Sequence, residues 1–416
     1  MAQSSIQEHL VNRVSEAFAS LPERYLGADE GFSATYQIRL GDIGRTWEVH
    51  TTPNRCSIRT SPGPNPDIVI GTDASTWLAL REGRLSGLDA FAQRRLYARG
   101  NLDLAVGFEG LFRLPDDRPP LLRIHDVRVK GATISSLTAG RGREHVLLLH
   151  GLGGNKTSFF ETVAALSDEY TVHAIDFPGF GSSSKPARAA YDSSYFATMT
   201  TRFMDTLAID RAHLIGNSMG GRAALEVALT SPQRVRSLGL LAPAVAFIRR
   251  RELIPLVRLL RPELAALPHP PIRDEMVRAQ FWSLFAHPDR LDPSVADIAC
   301  DEFRRNYRSR AARVAFYAAA RNIYLDPANG KNGFWSRLEQ LERPALFVWG
   351  DSDKLVPSKF SKHVDQHLPG ARQVILEDCG HVPQIELPEI TNGLLRDHIA
   401  GQRRAGVKAR RRLRAA

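Results

Sequence analysis

Cysteine is scarce: Cys56, Cys300 and Cys379 are the only three in 416 residues, widely spaced and without a CxxC pair. That excludes a disulfide framework and a thiolate zinc cluster, and a reducing, cytoplasmic compartment fits best. Long apolar runs are also missing, none reaching the roughly 18 residues a membrane span needs. The opening Met1 to Leu10 has no basic stretch followed by an apolar one, so neither a secretion signal nor an anchor is expected. Acidic residues are absent from 401–416, where seven Lys or Arg (Arg403, Arg404, Lys408, Arg410, Arg411, Arg412, Arg414) supply most of the net charge of +10. Such a tail reads as a disordered, solubilising end that can also touch an anionic membrane surface weakly, each cation there contributing about 1 kcal/mol. Nucleic acid is not the expected partner, and no motif calls for a cofactor or a metal. The remaining composition, 43% apolar and 24% charged, is that of a globular chain long enough for two domains.

What is present falls into two grammars. Residues Ser5 to Leu21 place Ile6, Leu10, Val14 and Phe18 at four-residue spacing, which predicts an amphipathic helix ended by Pro22. Ser33–Leu40, Arg45–His50 and Cys56–Thr60 alternate apolar with polar, as strands of a half-exposed antiparallel sheet do. Asp67–Asp73 continues the sheet, the pattern turns helical from Ala74, breaks at Gly83 and resumes from Leu88 to Leu96. This order, with the runs Asp67-Ile-Val-Ile-Gly-Thr-Asp-Ala-Ser-Thr-Trp-Leu-Ala-Leu-Arg-Glu-Gly83 and Arg95-Leu-Tyr-Ala-Arg-Gly-Asn-Leu-Asp-Leu-Ala105, resembles the sterol-carrier (SCP2-like) lipid-binding module. The resemblance implies an α+β fold with an apolar tunnel for an acyl chain or sterol. The stiff, polar Pro115-Asp-Asp-Arg-Pro-Pro120 sets the boundary, giving a first domain over 1–120.

From Ile124 short apolar strands alternate with helices, which argues for a mostly parallel sheet covered on both faces. After two alternating strands between Asp126 and Thr138, core strands are expected at His145–Leu149, Thr171–Ile175, His213–Ile215, Ser237–Leu241, Ala345–Trp349 and Arg372–Leu376. In such sheets reactive groups gather beyond the carboxyl ends of the strands. Those ends carry His150-Gly-Leu-Gly-Gly-Asn155, Asp176-Phe-Pro-Gly-Phe-Gly-Ser182, Gly216-Asn-Ser-Met-Gly-Gly221, Gly350-Asp-Ser-Asp-Lys-Leu-Val-Pro357 and Asp378-Cys-Gly-His381. Five motifs in this order closely resemble the α/β-hydrolase family, over 124–400. The fold implied is an α/β-hydrolase core over 121–400 with a helical cap over about 243–344, followed by the basic tail at 401–416.

Acyl transfer needs a nucleophile, a base, an acid that orients the base, and donors for the oxyanion. Ser218 sits where strand turns sharply into helix, a turn that needs small neighbours at Gly216 and Gly220. By match to the family, His381 is the base and Asp353, three residues after Gly350 and four before Pro357, is the orienting acid; its neighbour Asp351 is the alternative, with a turn-capping role expected instead. The oxyanion donors implied are the backbone N–H groups of Leu152 and Met219. His150 is expected to be structural, His145, His173 and His213 fall on or beside strands, and His363 and His367, one helical turn apart, lack a third metal ligand.

A serine nucleophile sets the chain apart from the aspartate-dependent epoxide hydrolases and haloalkane dehalogenases of this family. The reading is a serine hydrolase acting on an ester of a hydrophobic or lipid-like substrate. The phrase Gly-Asn-Ser-Met-Gly-Gly also resembles C–C bond hydrolases of ring-fission products, which generally carry Trp directly after the catalytic histidine where this chain has Val382. A non-catalytic lipid carrier or scaffold is the competing class. In the cap, Phe247, Ile254, Leu256, Phe281, Trp282, Leu284 and Phe285 are the candidate lining of an acyl pocket.

Overall fold

The computed structural model describes residues 2–118, 120, 122–245, 254–259, 261–267, 273–291 and 293–415. Two compact units result, Met1–Ile124 with Thr138–Gly140, and His125–Leu137 with Arg141–Ala416.

In the first unit five strands, β1 (Ala34–Leu40), β2 (Arg45–Thr52), β3 (Arg55–Arg59), β4 (Ile68–Thr72) and β5 (Leu96–Gly100), form a mixed sheet in the order β3-β2-β1-β4-β5. The strand β5 falls where helical spacing predicts a helix to Leu96. The helix instead ends at Ala92, Arg94 takes a left-handed φ of 56°, and the chain turns back to pair antiparallel with β4. Ladder pairing at the sheet edge overrides the local pattern there. Gly100 has φ +122°, and a Cβ on it would stand 2.6 Å from the Asp67 carbonyl oxygen, so this close approach requires glycine. The helix Ala2–Ala19 contributes Phe18, whose ring is stacked between Trp47 and Trp77 at 4.4 Å from each.

The second unit carries an eight-stranded sheet built from β6 (Leu122–Val129), β7 (Ala132–Ala139), β8 (His145–Leu149), β9 (Thr171–Ile175), β10 (Ala212–Asn217), β11 (Val235–Leu241), β12 (Ala345–Gly350) and β13 (Arg372–Leu376). Its order is β13-β12-β11-β10-β8-β9-β7-β6, and the strands from β13 to β9 run parallel. Val146, Leu147, Leu148 and Leu149 are all fully buried. A parallel strand covered on both faces has no solvent side, so its sequence shows a continuous apolar run rather than alternation. The last helix runs Pro388–Ala415 and so includes the basic segment expected to be disordered. Arg, Lys, Ala and Leu are good helix formers, and extending a helix already seated on the sheet avoids the cost of nucleating one.

Toward the amino ends of these strands lies a group of histidines. His145 Nδ1 is 3.1 Å from His173 Nε2, and His213 Nδ1 is 2.8 Å from Ser237 Oγ. Burial, then the neighbouring His145 and His125, lower the His173 pKa from 6.5 to about 3. Burial, then Arg236 and His398, do the same for His213. An unfolded chain binds these protons first, so stability present above pH 6.5 is lost as pH falls towards about 3. Urea unfolding across this window should show a falling midpoint, with a shallower fall in His173→Gln; equal slopes would remove His173 from the account.

Candidate active site

Four loops at the carboxyl ends of β8, β10, β12 and β13 meet. The turn after β10 is the tightest. Ser218 has φ 52° and ψ −115°, a left-handed conformation that a side-chain-bearing residue adopts only under constraint. The constraint is explicit: its N–H donates to the Leu241 carbonyl at 2.9 Å, and its own carbonyl accepts from Arg222 N at 3.0 Å and Ala244 N at 2.9 Å. A Cβ at Gly216 would lie 2.4 Å from the Gly220 backbone, and one at Gly220 would lie 2.0 Å from the Leu149 carbonyl oxygen. Strand, elbow and helix Met219–Thr230 therefore close on each other only through those glycines. Ser218 itself is part-exposed while its neighbours Asn217 and Met219 are buried.

His381 and Asp353 come together from the loops after β13 and β12. His381 Nδ1 donates to Asp353 Oδ2 at 2.7 Å, and both residues are buried. The other carboxylate oxygen, Oδ1, accepts the backbone N–H groups of Leu355 at 2.8 Å and Val356 at 2.9 Å. Asp353 thus accepts from three donors, and its bond to Nδ1 leaves Nε2 as the ring's acceptor. Asp351, by contrast, is exposed and accepts the Cys379 N–H at 3.3 Å. Burial would raise its pKa, but the Ser352 hydroxyl and turn N–H groups outweigh this and hold the carboxyl below its ordinary value. Cys379, two residues before His381, is fully buried, and burial together with Glu386, Asp351 and Asp353 pushes its thiol up to about 12. It is not a competing nucleophile.

Two side chains that sequence reasoning passed over fasten this arrangement. Asn217 Nδ2 donates to the carbonyls of Leu241 at 3.1 Å and His381 at 3.0 Å, so the residue before Ser218 ties the histidine loop to the elbow. Glu386, buried, accepts Gly380 N–H at 2.6 Å on one oxygen and His287 N–H at 2.8 Å on the other. Their signal was present, since Asn217 lies in the elbow phrase and Glu386 closes the phrase Gly-His-x-Pro-x-x-Glu, but their partners are backbone groups remote in sequence.

The loop after β8 comes within reach of the elbow. A Cβ on Gly151 would stand 3.0 Å from Asn217 Oδ1 and 3.3 Å from Ser218 Cβ. Leu152 packs against the core, and Met219, as the first residue of its helix, has an N–H with no acceptor within the helix. His150 is fully buried with Nδ1 2.7 Å from the Gly151 carbonyl and Nε2 accepting Phe177 N–H at 2.9 Å. Burial lowers its pKa, so the neutral ring with its proton on Nδ1 fits both bonds. Behind it lies a buried ion pair that no motif announced: Lys156 Nζ to Asp176 Oδ2 at 2.8 Å, with Asp176 also accepting Lys156 N–H at 2.6 Å and Ser182 N–H at 2.8 Å. Burial alone would raise the Asp176 carboxyl, but Lys156 and His150 hold it below the usual range. Removing one member would strand a charge in the core at a cost of ~3–5 kcal/mol.

A cavity of about 280 Å³ borders the nucleophile-bearing helix. Its wall includes Tyr191, Phe196, Met219, Arg222, Asn322 and Asp326 and, of the residues expected to line an acyl pocket, none of the described Phe281, Trp282, Leu284 and Phe285. Arg222, one turn beyond Ser218, donates from Nε to Asp326 at 2.7 Å and from Nη1 to Glu226 at 2.8 Å. Phe281, Trp282 and Phe285 form their own aromatic cluster, Leu284 accepts His381 N–H at 2.7 Å, and Phe247 lies outside the described residues, as do the side chains of Ile254 and Leu256. The rings of His363 and His367 both lie against Trp335, 5.4 and 5.5 Å away, and His367 is 2.8 Å from Glu339. Among the described residues no cluster of His, Cys, Asp or Glu is arranged to hold a metal.

The model of the alpha/beta hydrolase fold family matches residues 144–388, and that of the SCP-2 sterol transfer family matches residues 16–113. The chain is 30% identical over 287 residues to the dihydrolipoyllysine-residue acetyltransferase component of the acetoin cleaving system of Cupriavidus necator, covering 66% of this chain and 68% of that one. It is 28% identical over 284 residues to a 2-hydroxy-6-oxononadienedioate/2-hydroxy-6-oxononatrienedioate hydrolase of Paraburkholderia phymatum, covering 62% and 88%. A solved structure, a membrane phospholipase A described as a bacterial virulence factor, is 30% identical with a TM-score of 0.56, covering 68% of this chain and 87% of that one.

Proposed function

Since the chain belongs to the α/β-hydrolase family, with an SCP-2 domain ahead of the hydrolase fold, we propose that it is a serine hydrolase cleaving an ester of a hydrophobic or lipid-like substrate through an acyl-enzyme. The observation that carries this reading is the buried pair of His381 and Asp353 at 2.7 Å, tied by Asn217 to the strained turn of Ser218. Ser218 Oγ attacks the ester carbonyl while His381 Nε2 takes its proton, and Asp353 stabilises the imidazolium that forms. The N–H groups of Leu152 and Met219 receive the oxyanion, each contributing about 3 kcal/mol to the transition state. His381 then protonates the departing alkoxide, and water attacking the acyl-enzyme repeats the sequence.

The lipid-like substrate is supported by the SCP-2 match and by the likeness to a phospholipase A. A lipid held by the fused SCP-2 domain raises the local substrate concentration at the hydrolase. No described helix is long and apolar enough to cross a membrane; the basic C-terminal segment adds a weak attraction to anionic lipid. A second reading, C–C bond hydrolysis of a ring-fission product, is favoured by the likeness to the P. phymatum hydrolase. Val382 in place of Trp weighs against it.

A panel of p-nitrophenyl esters of graded chain length, run beside a ring-fission dienoate, tests the choice. The expected outcome is ester turnover whose kcat/KM rises with acyl length and no consumption of the dienoate. Dienoate turnover without esterase activity would install the second reading, and neither activity would leave a lipid carrier.

A further inference from the structure

We infer that the strap formed by residues 254–259 and 261–267 is a docking surface for an anionic lipid bilayer. The segment is a strap, the helix Ile254–Leu259 followed by the turn Pro262–Ala266, laid along the cap helix Arg310–Leu325. What holds it is polar and faces inward. Arg321 donates to the carbonyls of Val257 at 3.2 Å and Arg258 at 2.9 Å, and the buried Arg313 donates to that of Ala265 at 2.7 Å. Arg313, Tyr317 and Arg321, four residues apart, lie on one line of the helix.

What the strap presents outward is apolar. Leu259 is 77% exposed, Leu264 59%, Leu267 58% and, between the two clamping arginines, Tyr317 is 43% exposed. A single exposed leucine is ordinary; three within nine positions beside an exposed tyrosine are not. Segments that cover a core do the reverse, turning leucine inward and carbonyls to water.

The charge around the patch selects the occupant. Arg258 and Arg261 flank Leu259, while Arg308 ends the helix Pro293–Arg308 and Arg310 begins the helix Arg310–Leu325; this junction is close to Ala265 because Arg313, which donates to the Ala265 carbonyl, also donates to those of Tyr307 and Arg308. All four arginines are exposed, and none has a carboxylate within 4.0 Å among the described residues. Within the strap only Glu263 is acidic. Leucines that enter the acyl boundary, a tyrosine at headgroup level and unpaired guanidinium groups for lipid phosphates are the parts of an interfacial anchor. This surface is separate from the basic C-terminal segment, and its action does not depend on Ser218.

Flotation of the full chain with vesicles of equal parts phosphatidylglycerol and phosphatidylcholine, against phosphatidylcholine alone, is the test. Wild type should partition onto the anionic vesicles, less so as salt rises. Leu259→Ser/Leu264→Ser/Leu267→Ser should weaken that partition roughly tenfold or more, while turnover of a short, water-soluble ester stays unchanged. Arg258→Gln/Arg261→Gln should lose the preference for anionic vesicles, and it decides the matter if circular dichroism shows the triple variant misfolded. Arg410→Gln/Arg411→Gln/Arg412→Gln should still float. Undiminished flotation of the leucine variant, loss confined to the tail variant, or a wild-type dimer that the leucine changes dissociate without altering lipid partition would each overturn the proposal. Absent esterase activity with intact flotation would count against the hydrolase reading alone.

Discussion

Ser218→Ala is expected to lower kcat by roughly a millionfold, the loss typical when a serine nucleophile is removed from a working constellation, and to abolish labelling by a fluorophosphonate probe. The size follows from the covalent step: without the Oγ there is no acyl-enzyme, and what remains is the modest acceleration from oxyanion donors and binding. The fold should survive. Ser218 is held by backbone bonds to Leu241, Arg222 and Ala244 that alanine retains, and its side chain is part-exposed. Alanine at φ 52° relieves nothing and adds little strain beyond what serine already tolerates. Turnover within tenfold of wild type would mean that the ester is attacked by another group, and the elbow would then be only a tight turn.

The second large effect is expected at Asp353. Asp353→Asn should cost about ten-thousandfold in kcat, because an amide can donate to His381 Nδ1 and so favour the tautomer with its proton on the wrong nitrogen. The same change at Asp351 should leave kcat within a few-fold. The contrast rests on position: Asp353 is buried with one oxygen on His381 and the other on two N–H groups, whereas Asp351 is exposed and accepts only turn donors. Comparable losses in both variants, or a larger one at Asp351, would reverse the assignment of the two acids. Circular dichroism on each separates chemistry from folding, since Asp353 also pins the turn through Leu355 and Val356.

The strands that position the loops were legible because a parallel strand buried on both faces writes itself as an uninterrupted apolar run. His145–Leu149 and Thr171–Ile175 lie where such runs are, β10, β11 and β12 extend theirs by one to three residues, and Arg372–Leu376, an edge strand with Arg372 and Ile375 exposed, still forms over the expected range. His381 and Asp353, whose side chains meet at 2.7 Å, were singled out by the likeness of the phrases that carry them to the family's motifs and not by the strand pattern itself. β5 was not readable, because Leu88 to Leu96 carries helical spacing and only the presence of β4 makes its last residues a strand partner. The Lys156–Asp176 pair left no mark either: an ion pair inside the core is a property of two loops that the fold brings together, and lysine at a loop position ordinarily means solvent. The cavity beside Met219 has walls drawn from six separate stretches of chain, so no stripe of apolar residues within the cap announced it. The helical state of 401–415 was missed because charge density was read without regard to the helix it continues.

One fastening near His381 bears on how specificity in this molecule is open to redesign. The stretch from Leu284 to His287 receives His381 N–H on the Leu284 carbonyl, gives His287 N–H to Glu386, and leaves no space for a Cβ at Gly380, which would sit 2.3 Å from the Leu284 oxygen. The stretch 284–287 is thus a foundation for the histidine loop. Libraries that diversify residues 281–291 would therefore change selectivity and reactivity together, and most members would be lost for a reason unrelated to fit. Under the proposed function, diversity placed on the helix Arg310–Leu325, where Phe316 would meet a Cβ on Gly153 at 3.1 Å, is expected to change selectivity while the histidine keeps its seat.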